Sequence, residues 1–435
     1  MSRAANPLPS GYPQLRSLVV FGAAVLAACS FACSGDSSGA NGTEPVPPPV
    51  GPPPVFGAAV NAVSQAAPLI GGTLQILADD RTAVAADPDR DAIYVIDYRR
   101  QKLLGTVTLD KGDEPGRIAV DDQGRVHVAL RRGGAVVTLD PATWSVTARR
   151  PVCAAPRGLA FDAGQGSVLH VACAEGLLVT LPAAPDGAVT RRLQLDSDLR
   201  DVVVEGDVLR VSRFRSAEVL TVDRDGKVSD RLSLPARDAI RTTMTTDGNS
   251  AAGGETMTQM VPSVAWRMMG LAGGPTVMVH QRATNTRVET QRGGYGGDLC
   301  GSIVESAVSA VSPGLPPSSA LMGVVLPIDI AVSSDRQWMA VLSAANAHVP
   351  MNTFGQVTVM VADAINGGAG GDCGFPAPPI TLSPKVPHVV AAMPDDVLTG
   401  PPTVVNQPTG EAIAVAIDGT GHVLCRLASR RRCRS

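Results

Sequence analysis

From Gly116 to Asp140 the chain reads GRIAVDDQGRVHVALRRGGAVVTLD: three apolar runs, IAV, VHVAL and AVVTL, parted by Asp-Gln-Gly-Arg and Arg-Arg-Gly-Gly. Short Val-rich runs bounded by Gly and Asp predict three strands joined by two tight turns. The pattern recurs. Third strands closing on Val95-Ile96-Asp97, Thr138-Leu139-Asp140, Thr180-Leu181-Pro182 and Thr221-Val222-Asp223 repeat about every 42 residues. First strands repeat as Arg117–Asp121, Arg157–Asp162 and Arg200–Glu205, and second strands as Val126-His127-Val128, Leu169-His170-Val171 and Leu209-Arg210-Val211. A more variable fourth strand follows each, such as Ser145-Val146-Thr147 or Leu193-Gln194-Leu195.

Four short strands at this period predict the blade of a β-propeller. One blade cannot bury both of its faces, so blades come in closed sets. Pro327–Val332, Gln337–Leu342 and Gln356–Val361 rebuild a later blade. Pro275–His280 and Ser302-Ile303-Val304 suggest another, with long loops expected at 246–275 and 284–301, and Pro408 to Asp418 opens the last. The expectation is an all-β propeller of seven blades, with six or eight as alternatives and the last blade incomplete.

The N-terminal region departs from this pattern. Arg3 and Arg16 precede an apolar run, Leu18 to Ala28, that is shorter than the roughly 20 residues needed to span a bilayer. It closes on Leu26-Ala27-Ala28-Cys29, which resembles a bacterial lipobox. That resemblance implies a signal peptide over 1–28 and a lipidated Cys29 as the first mature residue. The alternative is an ordinary cleaved signal with a chance cysteine, since Cys33 follows closely. Residues 29–58 turn Gly/Ser-rich and then into PVPPPVGPPPV, an extended spacer that would lift a body off a membrane. The propeller is expected over 59–424 and an irregular Arg-rich tail over 425–435. The expected location is the outer membrane of a bacterial envelope, on its periplasmic or cell-surface side.

Net charge is −3 and aromatics make up 3% of the residues, so there is no basic footprint for nucleic acid. A monomer is expected. In an exported chain, paired cysteines read most economically as disulfides, here Cys153–Cys173 and Cys300–Cys373. Metal binding is the rival reading, but neither CxxC spacing nor clustered histidine supports it.

The pattern Pro-x-Gly-Ile-Ala-Val-Asp, turn, Val-Tyr-Val-Ala, turn, Val-x-Val-Ile-Asp resembles YVTN-type bacterial surface propellers and is loosely similar to NHL propellers, over about residues 70–424. Its motifs specify fold rather than activity. TAVAADPDRDAIYVID (Thr82 to Asp97) and GGDLCGSIVESAVSAV are similar to myxobacterial surface proteins in which a propeller precedes a cytochrome c peroxidase-like di-haem domain. That likeness implies electron transfer with a redox partner, yet the haem signature CxxCH is absent and no cofactor is expected in this chain. The end, CRLASRRRCRS, lacks alternation. Two readings stand: a frameshift or truncation replaced a continuing blade and haem domain, or the tail is a basic segment touching lipid or polyanion. Val55–Ala67 could close the last blade.

Other catalytic signatures are missing: no H-E-x-x-H, P-loop or dinucleotide fingerprint occurs, and a G-x-S-x-G match falls only in the Gly/Ser-rich stretch, at Gly35 to Gly39. His127 and His170 recur with the repeat, Arg210 taking the same slot, which points to packing. Asp87-Pro88-Asp89-Arg90-Asp91 starts like a calcium loop but lacks the later Gly and Glu, so a polar turn is expected. A metal-dependent propeller lactonase would need Glu, Asn and Asp at the channel mouth. Asn346, His348 and Asn352, with Arg213 and His280 at comparable loop positions, form the candidate ligand-contacting set; solvent-exposed loop residues are the alternative. The function expected is a non-enzymatic binding or scaffold module, membrane-tethered, with another envelope protein or a redox partner as its partner. The alternatives are the propeller portion of a peroxidase-like protein and, more weakly, a lactonase.

Overall fold

The computed structural model describes residues 70–243, 254–271, 274–286, 303–318, 320–321, 324–333, 338–346, 356–361, 389–392, 412–418 and 423–427. All of these lie in the compact unit Ser64–Ser435. They hold seven sheets and no helix, and the fold is a β-propeller.

Blade 1 contains β1 (Leu74–Ile76), β2 (Thr82–Asp87), β3 (Ala92–Asp97) and β4 (Lys102–Thr108). Blade 2 contains β5 (Pro115–Val120), β6 (Val126–Leu130), β7 (Ala135–Leu139) and β8 (Val146–Pro151). Blade 3 holds β9 (Pro156–Asp162), β10 (Val168–Cys173), β11 (Leu177–Pro182) and β12 (Arg191–Gln194). Blade 4 holds β13 (Leu199–Glu205), β14 (Val208–Arg213), β15 (Glu218–Val222) and β16 (Val228–Ser233). Each is an antiparallel meander in chain order. Blade 5 has five strands, β17 (Arg237–Thr243), β18 (Gly254–Gly270), β19 (Thr276–Thr284), β20 (Val304–Ala310) and β21 (Ala320–Leu321). Blade 6 has β22 (Val324–Val332), β23 (Trp338–Asn346) and β24 (Gln356–Val361), and blade 7 has β25 (Val389–Ala392), β26 (Ala412–Ile417) and β27 (Val423–Leu427).

Each inner strand packs on the blade before it: β5 on β1 and β2, β9 on β5, β13 on β9, β18 on β13, β22 on β18, and β26 on β22. Then β1 packs on β26 and closes the ring. Strand alternation supplies the adhesive between blades. Val126, Val128 and Leu130 of β6 join Val84, Ile93 and Val95 of blade 1, whereas Ala129 of the same strand joins Leu159 and Val171 of blade 3. Ala414, Ala416 and Leu424 of blade 7 share a cluster with Ala83, Ala85 and Tyr94 of blade 1. The fourth strands β4, β8, β12 and β16 form the exposed rim, which explains their variable sequence.

The turns follow the sequence. Gly134 sits at φ +65° between β6 and β7, where an added Cβ would lie 2.8 Å from the Cys153 carbonyl oxygen. Cys153 and Cys173 form a disulfide linking the start of blade 3 to β10; Cys300 and Cys373 lie outside the described residues.

Two expectations change. The stretch expected to loop over 246–275 is in large part β18, which runs through GETMTQMVPSVAWRMMG; its first half pairs with β17 and its second half forms the inner edge of blade 5. Two register shifts along β18 break the strict alternation that would have revealed a strand. β27 continues through Cys425, Arg426 and Leu427, residues expected to be irregular, because they pair with β26. The third described strand of blade 7 is β25, parallel to β27; Val55–Ala67 lies outside the described residues.

Candidate functional site

Inner strands of a propeller bring one segment of every repeat to the axis. Here a register shift interrupts the inner strand in five consecutive blades, at Pro115/Ile118, opposite Ala172/Cys173, at Leu199/Asp201, at Ala265/Arg267 and at Pro327/Asp329. A bulge re-aims the side chains beside it. The residues at these bulges are Arg117, Arg157, Arg200, Trp266 and Ile328, followed in three blades by Asp201, Arg267 and Asp329. Thus each of these five blades sets a charged residue at or just after its bulge.

At the centre, Arg117 donates two hydrogen bonds to Asp201, Nε to Oδ1 at 3.1 Å and Nη2 to Oδ2 at 2.8 Å, and a third to the Gly71 carbonyl. Gly72 is required there: its φ is +72°, and a Cβ would meet the Arg117 guanidinium. Asp201 also accepts from Arg267 Nη1 at 3.0 Å and from the Met268 amide at 2.9 Å. Arg267 Nε approaches Asp329 Oδ1 at 3.5 Å, a charge pairing without a hydrogen bond. Asp329 accepts from the Val415 amide of blade 7 at 3.0 Å. One ionic lattice therefore ties blades 1, 2, 4, 5, 6 and 7.

The protonation of the lattice follows from burial and pairing. Burial opposes ionisation of Asp201, but Arg117 and Arg267 outweigh it and hold the carboxyl below its usual range. For Asp329 burial wins over the same two arginines and pushes the carboxyl up.

Two features flank the lattice. Toward the C-terminal ends of the inner strands lies a cavity of about 430 Å³ lined by β1 and the turn after it, Arg267 and Met269, Asp329–Val332 and Val415–Asp418. Its wall mixes Leu74, Ile330 and Ile417 with Gln75, Arg267 and the carboxylates of Asp80, Asp329 and Asp418. Asp418 is fully buried and accepts from the Tyr98 hydroxyl at 3.1 Å, with Arg99 at 3.6 Å. Toward the N-terminal ends lie Arg131, Arg157 and Arg200. Arg200 stacks over Phe214 at 4.8 Å and Trp266 at 5.6 Å, and those rings meet edge to face at 5.4 Å.

The sequence candidates fall elsewhere. His280 is no loop residue: it lies within β19, fully buried, with Nε2 2.9 Å from Ser309 Oγ, and burial beside Arg282 pushes it down to about 3. All residues of β19 from Thr276 to Arg282 are buried, His280 among them. Arg213 ends β14 rather than occupying a loop, and is held by Glu218 at 2.8 Å and Asp198 at 3.4 Å. Asn346 ends β23, whereas His348, Asn352 and Cys29 lie outside the described residues.

His127 and His170 belong to the blade cores. His127 bridges Asp121 and Thr138, both at 3.0 Å; His170 bridges Thr180 at 3.0 Å and Asp162 at 3.5 Å. In blade 4 Arg210 replaces the imidazole between Glu205 and Thr221. The Asp87 segment is a turn: Asp87 accepts from the Asp89 amide and pairs with Arg90. The one grouping of three metal-capable side chains among the described residues, Cys153, Cys173 and Glu175, has both sulfurs in the disulfide. The axial residues that reasoning from sequence missed did carry a signal, the arginine opening three successive first strands (117, 157, 200), but it reads as a mark of the repeat.

No protein-family model matches the chain, and no curated protein does. Solved structures match as folds. Hydrazine synthase of Kuenenia stuttgartiensis aligns at TM-score 0.55 and 14% identity, over 83% of this chain and 94% of that one. A streptogramin B lyase aligns at 0.46 and 11% identity, over 82% of this chain and 91% of that one. The β-propeller domain of Cps50 (Swd1) from Myceliophteria thermophila aligns at 0.44 and 9% identity, over 80% of this chain and 90% of that one. At these identities the likeness concerns fold alone, which is the β-propeller.

Proposed function

We propose that the chain is a non-enzymatic binding module held at the bacterial outer membrane by a lipid on Cys29, with a small-molecule seat in the axial cavity. The observation that carries this reading is the cavity itself. Its volume falls in the range of about 300–1,000 Å³ common to small-molecule sites. Its wall comes from four blades locked together by the ionic lattice, so little ordering is left to oppose binding. The mixture of aliphatic wall and paired charge suits a compact ligand with a polar end. The tether rests on the Leu26–Cys29 motif and the proline-rich spacer.

Ala78 is exposed and lines the cavity after β1, so Ala78→Trp plugs the opening without disturbing the core. In thermal-shift screening of the full chain against polar metabolites, at least one compound is expected to stabilise the wild type. At a hundred times its Kd the gain is about 2.7 kcal/mol. Ala78→Trp should keep its unliganded Tm and lose the shift. Equal shifts in both proteins, or none at millimolar concentrations, would refute the seat. For the tether, Cys29→Ala is expected to move the chain from the membrane to the soluble fraction, since removing the acyl chains removes the anchor; an unchanged membrane share would refute it.

A further inference from the structure

We propose that the opposite mouth of the axis, walled by Arg131, Arg157 and Arg200 above Arg117, is a seat for a doubly charged small oxyanion. Exposure falls along this mouth: Arg132 is 59% exposed at the side chain, Arg131 12% and Arg117 1%. The arginines close on one another from three blades. Arg157 Nη1 reaches the Arg131 carbonyl at 3.4 Å, and the Arg131 stem lies where a Cβ on Gly116 would meet it at 3.0 Å. Arg200 donates Nε to the Trp266 carbonyl at 3.3 Å and is fixed over two rings.

Their hydrogen-bonding capacity is not used up. Arg200 is 92% buried by its 8% exposure, yet its Nη2 has no hydrogen-bond partner, and neither does Arg131 Nε. A buried donor left unmade is costly, so such groups mark a place for an acceptor. Carboxylates are too few. Asp201 is taken by Arg117 and Arg267; Glu114 meets Arg131 and Arg132 only at 3.4 Å each; Glu175 is exposed and serves the Ala154 amide. The cations also burden one another: burial first, then Arg117, Arg131 and Arg157, push Arg200 down to about 9, and burial with Arg157 and Arg117 pushes Arg131 down to about 10. An incoming dianion relieves both the repulsion and the unmade bonds, and planar guanidinium forks match phosphate, sulfate or paired carboxylate oxygens.

Isothermal titration of the full chain with inorganic phosphate, sulfate, succinate and acetate, at matched ionic strength in chloride, tests the seat. One equivalent of each dianion should bind, with acetate at least about ten-fold weaker. Phosphate and sulfate exceeding succinate would assign a tetrahedral ligand, and the reverse order a dicarboxylate. Arg157→Gln, at a partly buried position outside the central lattice, should fold normally and weaken binding by about ten-fold or more, the loss of one charge-assisted hydrogen bond. Arg224→Gln, on an exposed outer turn, should leave binding unchanged. No dianion binding, or equal weakening by Arg224→Gln and Arg157→Gln, would overturn the proposal. The seat stands apart from the cavity at the other mouth, so Ala78→Trp should bind phosphate like the wild type whatever becomes of the small-molecule reading.

Discussion

Asp201→Ala is expected to destabilise the propeller by about 3–5 kcal/mol, the cost of removing one partner from a buried ion pair. Asp201 is completely buried and accepts from two arginines and a backbone amide. Its removal leaves Arg117, itself 1% exposed, facing Arg267 with no carboxylate between them. Asp329 cannot substitute: it is nearest Arg267 at 3.5 Å, and burial already disfavours its charge. Against a typical total of about 5–15 kcal/mol the loss is large. Urea unfolding should show a midpoint shift with little change in slope, and Asp201→Asn should fall between the wild type and Asp201→Ala. The comparison is Arg224→Ala, whose partner Asp207 is 79% exposed; exposed pairs are worth at most about 1 kcal/mol. Equal effects at the two sites would mean that the lattice contributes nothing special.

Acid should unfold the protein through its core histidines before its carboxylates titrate. His127 is pushed down to about 4 and His280 to about 3, in each case chiefly by burial; His170 shifts the same way. The ordinary value is about 6.5. A folded value below the unfolded one means that the unfolded chain binds more protons, so stability is complete above about pH 6.5 and declines as pH falls toward 4. Between pH 7.5 and 4.5 each of His127 and His280 removes about 2–3 kcal/mol. Asp329, pushed up by burial, contributes with the opposite sign. A His127→Gln, His280→Gln double variant leaves Asp329 untouched, and should flatten the slope over this window by about 5 kcal/mol while being less stable at pH 7.5. An unaltered slope would place the acid sensitivity elsewhere.

The sequence was legible where the repeat was strict. Blades 2 to 4 could be read strand by strand because alternation, Gly-bearing turns and a constant period are local properties of the chain. Blade 5 was obscured because β18 carries two register shifts, and a shift flips every later side chain relative to simple alternation. His127 and His170 were recognised as packing because they recur in the same slot. His280 was misplaced because a histidine ending an apolar run looks like the last residue before a loop.

Taken alone, the sequence determined that blades exist, roughly how long each is and where its turns fall. Those features depend on neighbours along the chain. The tertiary structure decided that Arg117, Asp201, Arg267 and Asp329 meet, although they are spread over more than two hundred residues, and that a cavity and an arginine mouth lie at opposite ends of that lattice. Only closure of the ring sets those distances. In a single repeat an arginine or aspartate at a bulged inner strand has no partner in sequence; the partner arrives when the other blades turn the same position toward a shared axis.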